Sequence, residues 1–251
     1  MLLDLDHVMF SYGGHATGSA RRCAAEEVNA QLGLPWGASC PPCVHPAARP
    51  LWGLIVPLND AFPDQADADA ARTAAMVPLL RAILSAGAAP PESGGWEFVL
   101  ADLAARRFAP RALRAAGLDA EAERLEAMPQ VSAATVRAAE EATRAVWAEA
   151  AARSARAVRG DVWAARAYAR RLRCAAEAAE VATRATRAAE AADEATVSWW
   201  TVRAAEEATR AAAAVRGEVW TARVGVGPRA LRLLQETVAE ITAAIQHPPP
   251  S

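Results

Sequence analysis

The stretch from Asp161 to Arg216 restricts the fold of this chain most, because its roughly 56 residues include neither glycine nor proline. It consists largely of alanine, arginine and glutamate, which are strong helix formers. As one straight helix it would be about 84 Å long, which exceeds the length of ordinary globular helices. We therefore predict a break near Asp193–Ser198 and antiparallel helical hairpins.

The same half of the chain contains an internal duplication. The ten residues Val136–Ala145 recur as Val202–Ala211, at an offset of 66 positions (202 − 136). A second matched pair, Val158–Arg166 and Val215–Arg223, is offset by 57 positions (215 − 158), so the second copy lacks nine residues (66 − 57) between its blocks. Nine residues turn a helix by roughly half a revolution. The two copies therefore cannot present the same faces on both sides of the deletion.

The pattern predicts an all-α fold, because the sequence contains no alternating, β-branched run of the kind that forms strands. We place a compact helical head at residues 1–129, which hold most of the prolines, and an alanine-rich, duplicated bundle of helical hairpins at 130–251. In the tail, helix boundaries are predicted at Gly160, Gly217 and Pro228. Helices in the head are predicted over 20–32 behind an N-cap at Ser19, over 48–59, from 67 or 69 to 85, and over 96–107, 110–116 and 119–127.

Charge and hydropathy limit the partners and the location that we expect. All 27 basic residues are arginine, and the net charge is −2. This balance argues against a general nucleic-acid binder, which needs a basic excess. The first residues lack the basic and apolar regions of a secretory signal, and no apolar run is long enough to cross a membrane. We therefore expect a cytoplasmic protein without a membrane partner.

Three cysteines and two histidines of the head are candidate metal ligands. Cys40-Pro-Pro-Cys43 is a CxxC motif, which places two thiolates on one turn, and zinc prefers four Cys or His ligands in a tetrahedron. Cys23 with either His15 or His45 would complete such a zinc site. Because a second CxxC is absent, a redox dithiol and small packing cysteines stay open as alternative interpretations.

Cys23 also supports a nucleophile hypothesis. It lies near a predicted helix start, where the helix dipole lowers the pKa of a thiol. In this hypothesis His15 or His45 acts as the base, and Glu26 or Asp60 orients that base. No recognisable protease or transferase signature surrounds the cysteine.

An arginine cluster in the tail is a candidate anion-binding site. Arg166, Arg170 and Arg173 fall on one face of a predicted helix, one turn after Trp163. Several guanidinium groups on one face can bind phosphate or an acidic partner. The alternative interpretation is a solvated face whose charge nearby glutamates balance.

Short motifs run through the head, and tryptophans run through the tail. They are Gly14-His15, Cys23-Ala-Ala-Glu26, Gly33-Leu-Pro35, Cys43-Val-His-Pro46, Leu58-Asn59-Asp60 and Arg72, followed by Trp147, Trp163, Trp199, Trp200 and Trp220. This order resembles a group of uncharacterised proteins from actinobacteria and their phages. In that group a glycine-histidine precedes a Cys-x-x-Glu helix, then a Cys-x-x-Pro segment, an Asn-Asp pair and an alanine- and tryptophan-rich tail. Trp36 departs from the pattern, since a histidine followed by an aspartate is usual there. The resemblance implies this organisation and no particular activity.

Two main functional hypotheses follow from the sequence. The duplicated alanine-rich helices favour a non-enzymatic interaction or scaffold protein, whose helices bind a protein partner or a second copy of the chain. The alternative is a zinc-stabilised or cysteine-dependent enzyme or sensor centred on the N-terminal cysteines and histidines, with zinc as its implied cofactor. Anion binding by the arginine cluster is a third hypothesis.

Overall fold

A computed structural model describes residues 3–15, 19, 21–36, 40–88, 94–157, 163–191, 193–215 and 228–248 of the protein. Over these residues the fold is all-α, as predicted, and contains no strand, although Phe10 and Arg22 form an isolated parallel bridge. The α-helices are α1 (Ala24–Gln31), α2 (Arg49–Trp52), α3 (Ile55–Ala61), α4 (Ala66–Ser85), α5 (Trp96–Leu103), α6 (Ala109–Ala115), α7 (Asp119–Glu126), α8 (Val136–Ala157), α9 (Trp163–Glu190), α10 (Glu194–Val215) and α11 (Pro228–Gln246). A 3₁₀ turn, Pro46–Ala48, precedes α2, and a π-helical turn, Ala104–Phe108, joins α5 to α6.

The chain forms two compact units. Unit 1 comprises Met1–Ala89 together with Thr221–Pro250, and unit 2 comprises Pro90–Trp220. This division differs from the predicted domains 1–129 and 130–251. The reason lies in the packing, because α11 packs on α4 of the head, whereas α5 and α6 pack on α9 and α10 of the tail.

The last helix supplies part of the core of unit 1. As predicted, α11 begins at Pro228, and its apolar side is buried at Leu234, Val238, Ile241 and Ile245. These residues recur every three or four positions, which places them on one face of a helix. That face packs on α4 in unit 1.

The first helix starts later than predicted. It begins at Ala24 with Cys23 as its N-cap, rather than after Ser19, because Glu26 forms a capping box with Cys23. The helix ends before Gly33, as predicted, and the φ of 65° at this glycine is a left-handed conformation that favours glycine at helix ends. The predicted helix 48–59 is instead divided at Gly53 into α2 and α3.

The first helices of unit 2 run directly into one another. Pro110 has no N–H to donate to the carbonyl of Arg106, and the π-helical turn ends two residues before this proline. Asp102, which is buried, accepts a hydrogen bond from the Val131 N–H at 2.9 Å and so fixes the segment before α8 against α5.

The alanine-rich helices α8, α9 and α10 are antiparallel neighbours. Arg137 at the start of α8 bonds Glu190 at the end of α9 at 2.6 Å, and the Arg184 guanidinium of α9 lies 4.6 Å from the Trp200 ring of α10. The predicted break is confirmed between α9 and α10, where the Asp193 carboxylate accepts the Thr196 N–H at 3.2 Å. Gly160 and Gly217 lie outside the described residues.

Candidate functional site

The polar centre of unit 1 is the Glu26 carboxylate, in the first turn of α1. One oxygen, Oε2, lies 2.8 Å from Nδ1 of His15 and accepts the Cys23 N–H at 2.9 Å. The other oxygen, Oε1, accepts the His15 N–H at 2.8 Å and the Trp36 indole N–H at 3.1 Å. Glu26 therefore holds the segment that carries His15 against the start of α1.

This arrangement sets the charge of Glu26 and the reactivity of Cys23. Burial opposes a charge on Glu26, but the N–H groups of His15 and Cys23 and the His15 ring together hold the pKa of the carboxyl below its usual value. Burial raises the pKa of the Cys23 thiol to about 11, against the opposing effect of backbone hydrogen bonds with Glu26 and Ala25. At neutral pH the thiol is protonated, so the expected activation of Cys23 by a helix start is outweighed by burial.

Asn59 and Asp60 connect the other motif residues to the same region. The buried Asn59 side chain accepts the Ala24 N–H at 3.2 Å, which gives α1 a second cap, and donates to the Ser11 carbonyl at 2.8 Å. The Asp60 carboxylate accepts the Gly13 N–H at 3.0 Å. Both side chains therefore fix the backbone of residues 11–13 rather than face a substrate cavity.

Arg72 is fully buried, with 0% of its side chain exposed, and its guanidinium is satisfied by the backbone. It donates to the carbonyls of Asn59 at 3.0 Å, Phe10 at 3.2 Å and Pro63 at 2.9 Å, and it forms an ion pair with Asp69. A planar group with five donors suits this task. Arg72 thus ties three chain segments together.

The predicted zinc ligands differ in their burial and in their hydrogen-bond partners. Cys23 is buried at the α1 cap, Cys40 is half-buried, and Cys43 is exposed. His15 is bonded to Glu26, and Nδ1 of the exposed His45 accepts the Ala47 N–H at 3.2 Å. In the part of the chain that the structure describes, no three His, Cys, Asp or Glu side chains form a group that could hold a metal ion.

Cys43 borders a cavity of about 370 Å³. Its walls are mainly apolar, and the Arg81 guanidinium at its edge forms an ion pair with Asp6 at 2.5 Å. The exposed thiol is therefore accessible beside an apolar surface. The wall residues other than Arg81 and Cys43 are Leu3, Leu5, Leu32, Leu84 and Ser85.

The predicted anion-binding residues lie on α9. Arg170 and Arg173 are both exposed on this helix. The side chain of Arg166 lies outside the described residues, so the predicted three-arginine face is described at two positions.

Six residues on the outer face of α8 form a continuous exposed row, which we call the α8 seam. They recur alternately three and four positions apart, the spacing by which one helix packs along another. Five are alanine, and Glu141 is the exception. The buried row of α8, which includes Val136, Ala139 and Val146, lies on the opposite side of the helix. The members of the α8 seam are Ala138, Glu141, Ala145, Ala148, Ala152 and Ala155.

The duplicated copy in α10 buries the equivalent positions. Ala204 and Ala211, which correspond to Ala138 and Ala145, are 0% exposed. Glu207, which corresponds to Glu141, is 1% exposed. The same ten-residue sequence therefore packs against other helices on a face that α8 leaves exposed.

Glu207 occupies a strongly perturbed position between α10 and α9. Its Oε1 pairs with Arg203 at 3.4 Å and with Arg210, whereas its buried Oε2 has no hydrogen-bond donor among the described residues. Burial raises the pKa of this carboxyl to about 7, and the facing Glu177 of α9 adds to the shift against the two arginines.

Comparisons with known proteins give no relative for this chain: no protein-family model, no curated protein and no solved structure matches it. Among the described helices, none combines the length and the apolar character that a membrane crossing requires. The chain is thus defined by its architecture, an all-α protein of two compact units.

The α8 seam and the Glu207 site were not among the residues that the sequence singled out. The alternating spacing of three and four residues between alanines can be read from the sequence at 138–155. Because two faces of α8 are rich in alanine, only the packing of the helices shows which face is buried. The duplication was the available signal for Glu207, since it marks Glu141 and Glu207 as equivalent.

Proposed function

We propose that this protein is a non-enzymatic helical interaction protein that self-associates through the α8 seam. The observation that supports this most directly is the contrast between the duplicated copies. Ala204 and Ala211 of α10 are covered by neighbouring helices, whereas the same positions in α8, Ala138 and Ala145, are exposed. The chain itself thus provides an example of a helix packing on this surface.

The small side chains of the α8 seam suit a partner helix. Interaxial distances between packed helices fall to about 8 Å where the contact residues are small. Alanine also loses no rotamer freedom when it is buried, so association does not order long side chains.

Charge complementarity favours a second copy of this chain as the occupant. In a parallel, in-register pair of helices, the residue before one seam position faces the partner residue five positions further along. Arg144 then faces Glu149 of the second copy, and the two-fold symmetry forms this pair twice. Both side chains are about half exposed, at 51% and 46%, and their present ion pairs are surface pairs that can exchange partners.

The test is the oligomeric state of the full chain and of a seam variant, by sedimentation equilibrium. We expect the wild type to dimerise and Ala148→Arg to be monomeric, because two arginines would meet at the centre of the pair. Ala70→Arg, which changes an exposed alanine of α4, is the matched control and should dimerise like the wild type. A wild type that is monomeric at every concentration would overturn the proposal.

A cysteine-dependent sensor in unit 1 is a second candidate function. The observation that favours it is the exposed Cys43 thiol at the edge of the apolar cavity. The labelling rate of Cys43 by an alkyl maleimide and by a polar maleimide is each divided by the rate with a free cysteine peptide. If the cavity binds apolar reagents, this relative rate should be higher for the alkyl maleimide. Equal relative rates, or the same preference in a Leu84→Arg variant, would remove this candidate.

A further inference from the structure

We propose that protonation of Glu141 controls the pairing of two α8 seams, an inference that rests on the self-association proposed above. Glu141 is the one charged member of the α8 seam, and it is exposed in the single chain. A parallel, in-register pair brings each seam residue against its own copy, so two Glu141 carboxyl groups would meet. Two facing carboxylates in a closed contact cannot both stay ionised at low cost.

The cations near Glu141 are already engaged within the chain. On its own helix, Arg137 is bonded to Glu190 of α9 at 2.6 Å, and Arg144 pairs with Glu140. Glu140 also accepts from Arg187 of α9, at 2.8 Å.

The other helix that packs on α8 is α7, and its cation is engaged in the same way. Arg124 of α7 bonds Glu149, at 2.6 Å. Closing the interface would give Arg144 a new partner, Glu149 of the second copy, but would direct no described arginine to Glu141, so neutralisation by a proton is the available route.

The duplicated glutamate shows what coverage by a helix does to this carboxyl. Glu207 faces Glu177 and Cys174 of α9, and its own helix supplies Glu206, Arg203 and Arg210. No charged group of α5, α6 or the π-helical turn is among its principal interactions. Even with two arginines beside it, burial moves the pKa of Glu207 up to about 7. Glu141 has the equivalent arginines, Arg137 and Arg144, but both pair with other carboxylates, and in the closed pair Glu141 would face a second carboxyl as Glu207 faces Glu177.

The direction of the effect follows from proton linkage. The paired state binds at least one proton more than two separate chains, because the carboxyls are solvated when separate and buried when paired. Association therefore strengthens as the pH falls, by about tenfold per pH unit for each proton taken up. A Glu141→Gln variant has no carboxyl to protonate at this position, so its association should not depend on pH in this way.

The experiment measures the dimerisation constant of the full chain by sedimentation at about pH 5.5 and about pH 7.5, both above the pKa of about 4.3 of a free glutamate. The wild type should associate at least about tenfold more tightly at the lower pH. Glu141→Gln should associate at the higher pH at least as tightly as the wild type does at the lower pH. Calorimetric dilution in buffers of different ionisation enthalpy should show proton release from the dissociating wild type and none from the variant.

The outcomes separate this inference from the proposed function. Dimerisation of the wild type that is equal at both pH values, or a pH dependence that Glu141→Gln retains, overturns the role of Glu141 and leaves the α8 seam intact. A monomer for both proteins at both pH values overturns the self-association itself. Ala148→Arg serves as the reference for the monomer in each buffer.

Discussion

The copies of the duplicated segment in α8 and α10 share ten residues but differ in their surroundings. Thr143 and Thr209 are buried alike, and each donates to the carbonyl four residues earlier at 2.9 Å. The neighbouring positions differ, since Glu141 is exposed and Glu207 is buried. Local sequence therefore determines the helix and one buried row. The second buried face of α10 depends on helices that are far away in the sequence.

The largest expected contrast comes from reversing the charge at the two glutamates. Glu207→Lys would place a buried cation beside Arg203 and Arg210, and we expect it to lower the free energy of unfolding by about 3–5 kcal/mol. Glu141→Lys, on the exposed face of the separate chain, should change it by no more than about 0.5 kcal/mol when both variants are made in the monomeric Ala148→Arg background. Urea unfolding followed by circular dichroism measures both. Similar losses at both positions would contradict the difference in burial.

A smaller contrast is expected in the pH dependence of stability. In the folded chain the pKa of Glu207 is raised to about 7, compared with an ordinary pKa of 4.5. The folded state therefore binds more protons than the unfolded state between these values, so stability is highest near the lower one and falls as the pH rises. A shift of this size corresponds to roughly 3 kcal/mol as an upper limit.

The measurement for this second prediction is the midpoint of thermal unfolding across that pH range. In the monomeric Ala148→Arg background, Glu207→Gln should flatten the decline, and Glu141→Gln should retain the slope of its parent. Glu206, whose pKa burial also raises, will leave a residual slope in the Glu207 variant. An unchanged slope in Glu207→Gln would show that this carboxyl does not take up the proton.

The smallest contrast concerns volume rather than charge. Ala204→Leu adds three carbons at a fully buried position, and overpacking of this kind costs about 1–3 kcal/mol. Ala138→Leu makes the same change on the exposed face, where the effect should stay within about 0.5 kcal/mol. Denaturant midpoints for the pair measure the difference. If Ala138→Leu were as costly as Ala204→Leu in the monomeric Ala148→Arg background, the outer face of α8 would already be covered within the chain.

The sequence predicted the fold well where the cause is local. The helix start at Pro228, the break near Asp193–Ser198 and the end of α1 before Gly33 are each read from a few residues, and the structure has all three features. The start of α1 was predicted four residues too early. Ser19 is a good cap by residue type, but Glu26 selects Cys23 through a side-chain bond to its backbone N–H.

The prediction was weaker where the cause is tertiary. An amphipathic pattern shows that one face of α11 is buried, but it does not name α4 as the helix that covers it. For the same reason, the sequence does not show the surroundings of Cys23, Cys40 and Cys43. They lie close together in the chain, but the first is buried, the second is half-buried and the third is exposed. The motif residues His15, Glu26, Asn59, Asp60 and Arg72 do converge in unit 1, where their bonds fix the backbone.

The packing of α11 on α4 has a consequence for synthesis on the ribosome. Everything in unit 2 is translated between these two helices, about 143 residues counted from Ser85 to Pro228. At roughly 5–20 residues per second, α4 waits on the order of ten seconds for the helix that covers it. During that interval unit 2 can finish folding, while the nascent unit 1 exposes an apolar surface to chaperones and to other chains. The order of translation therefore makes the N-terminal unit the last to be completed.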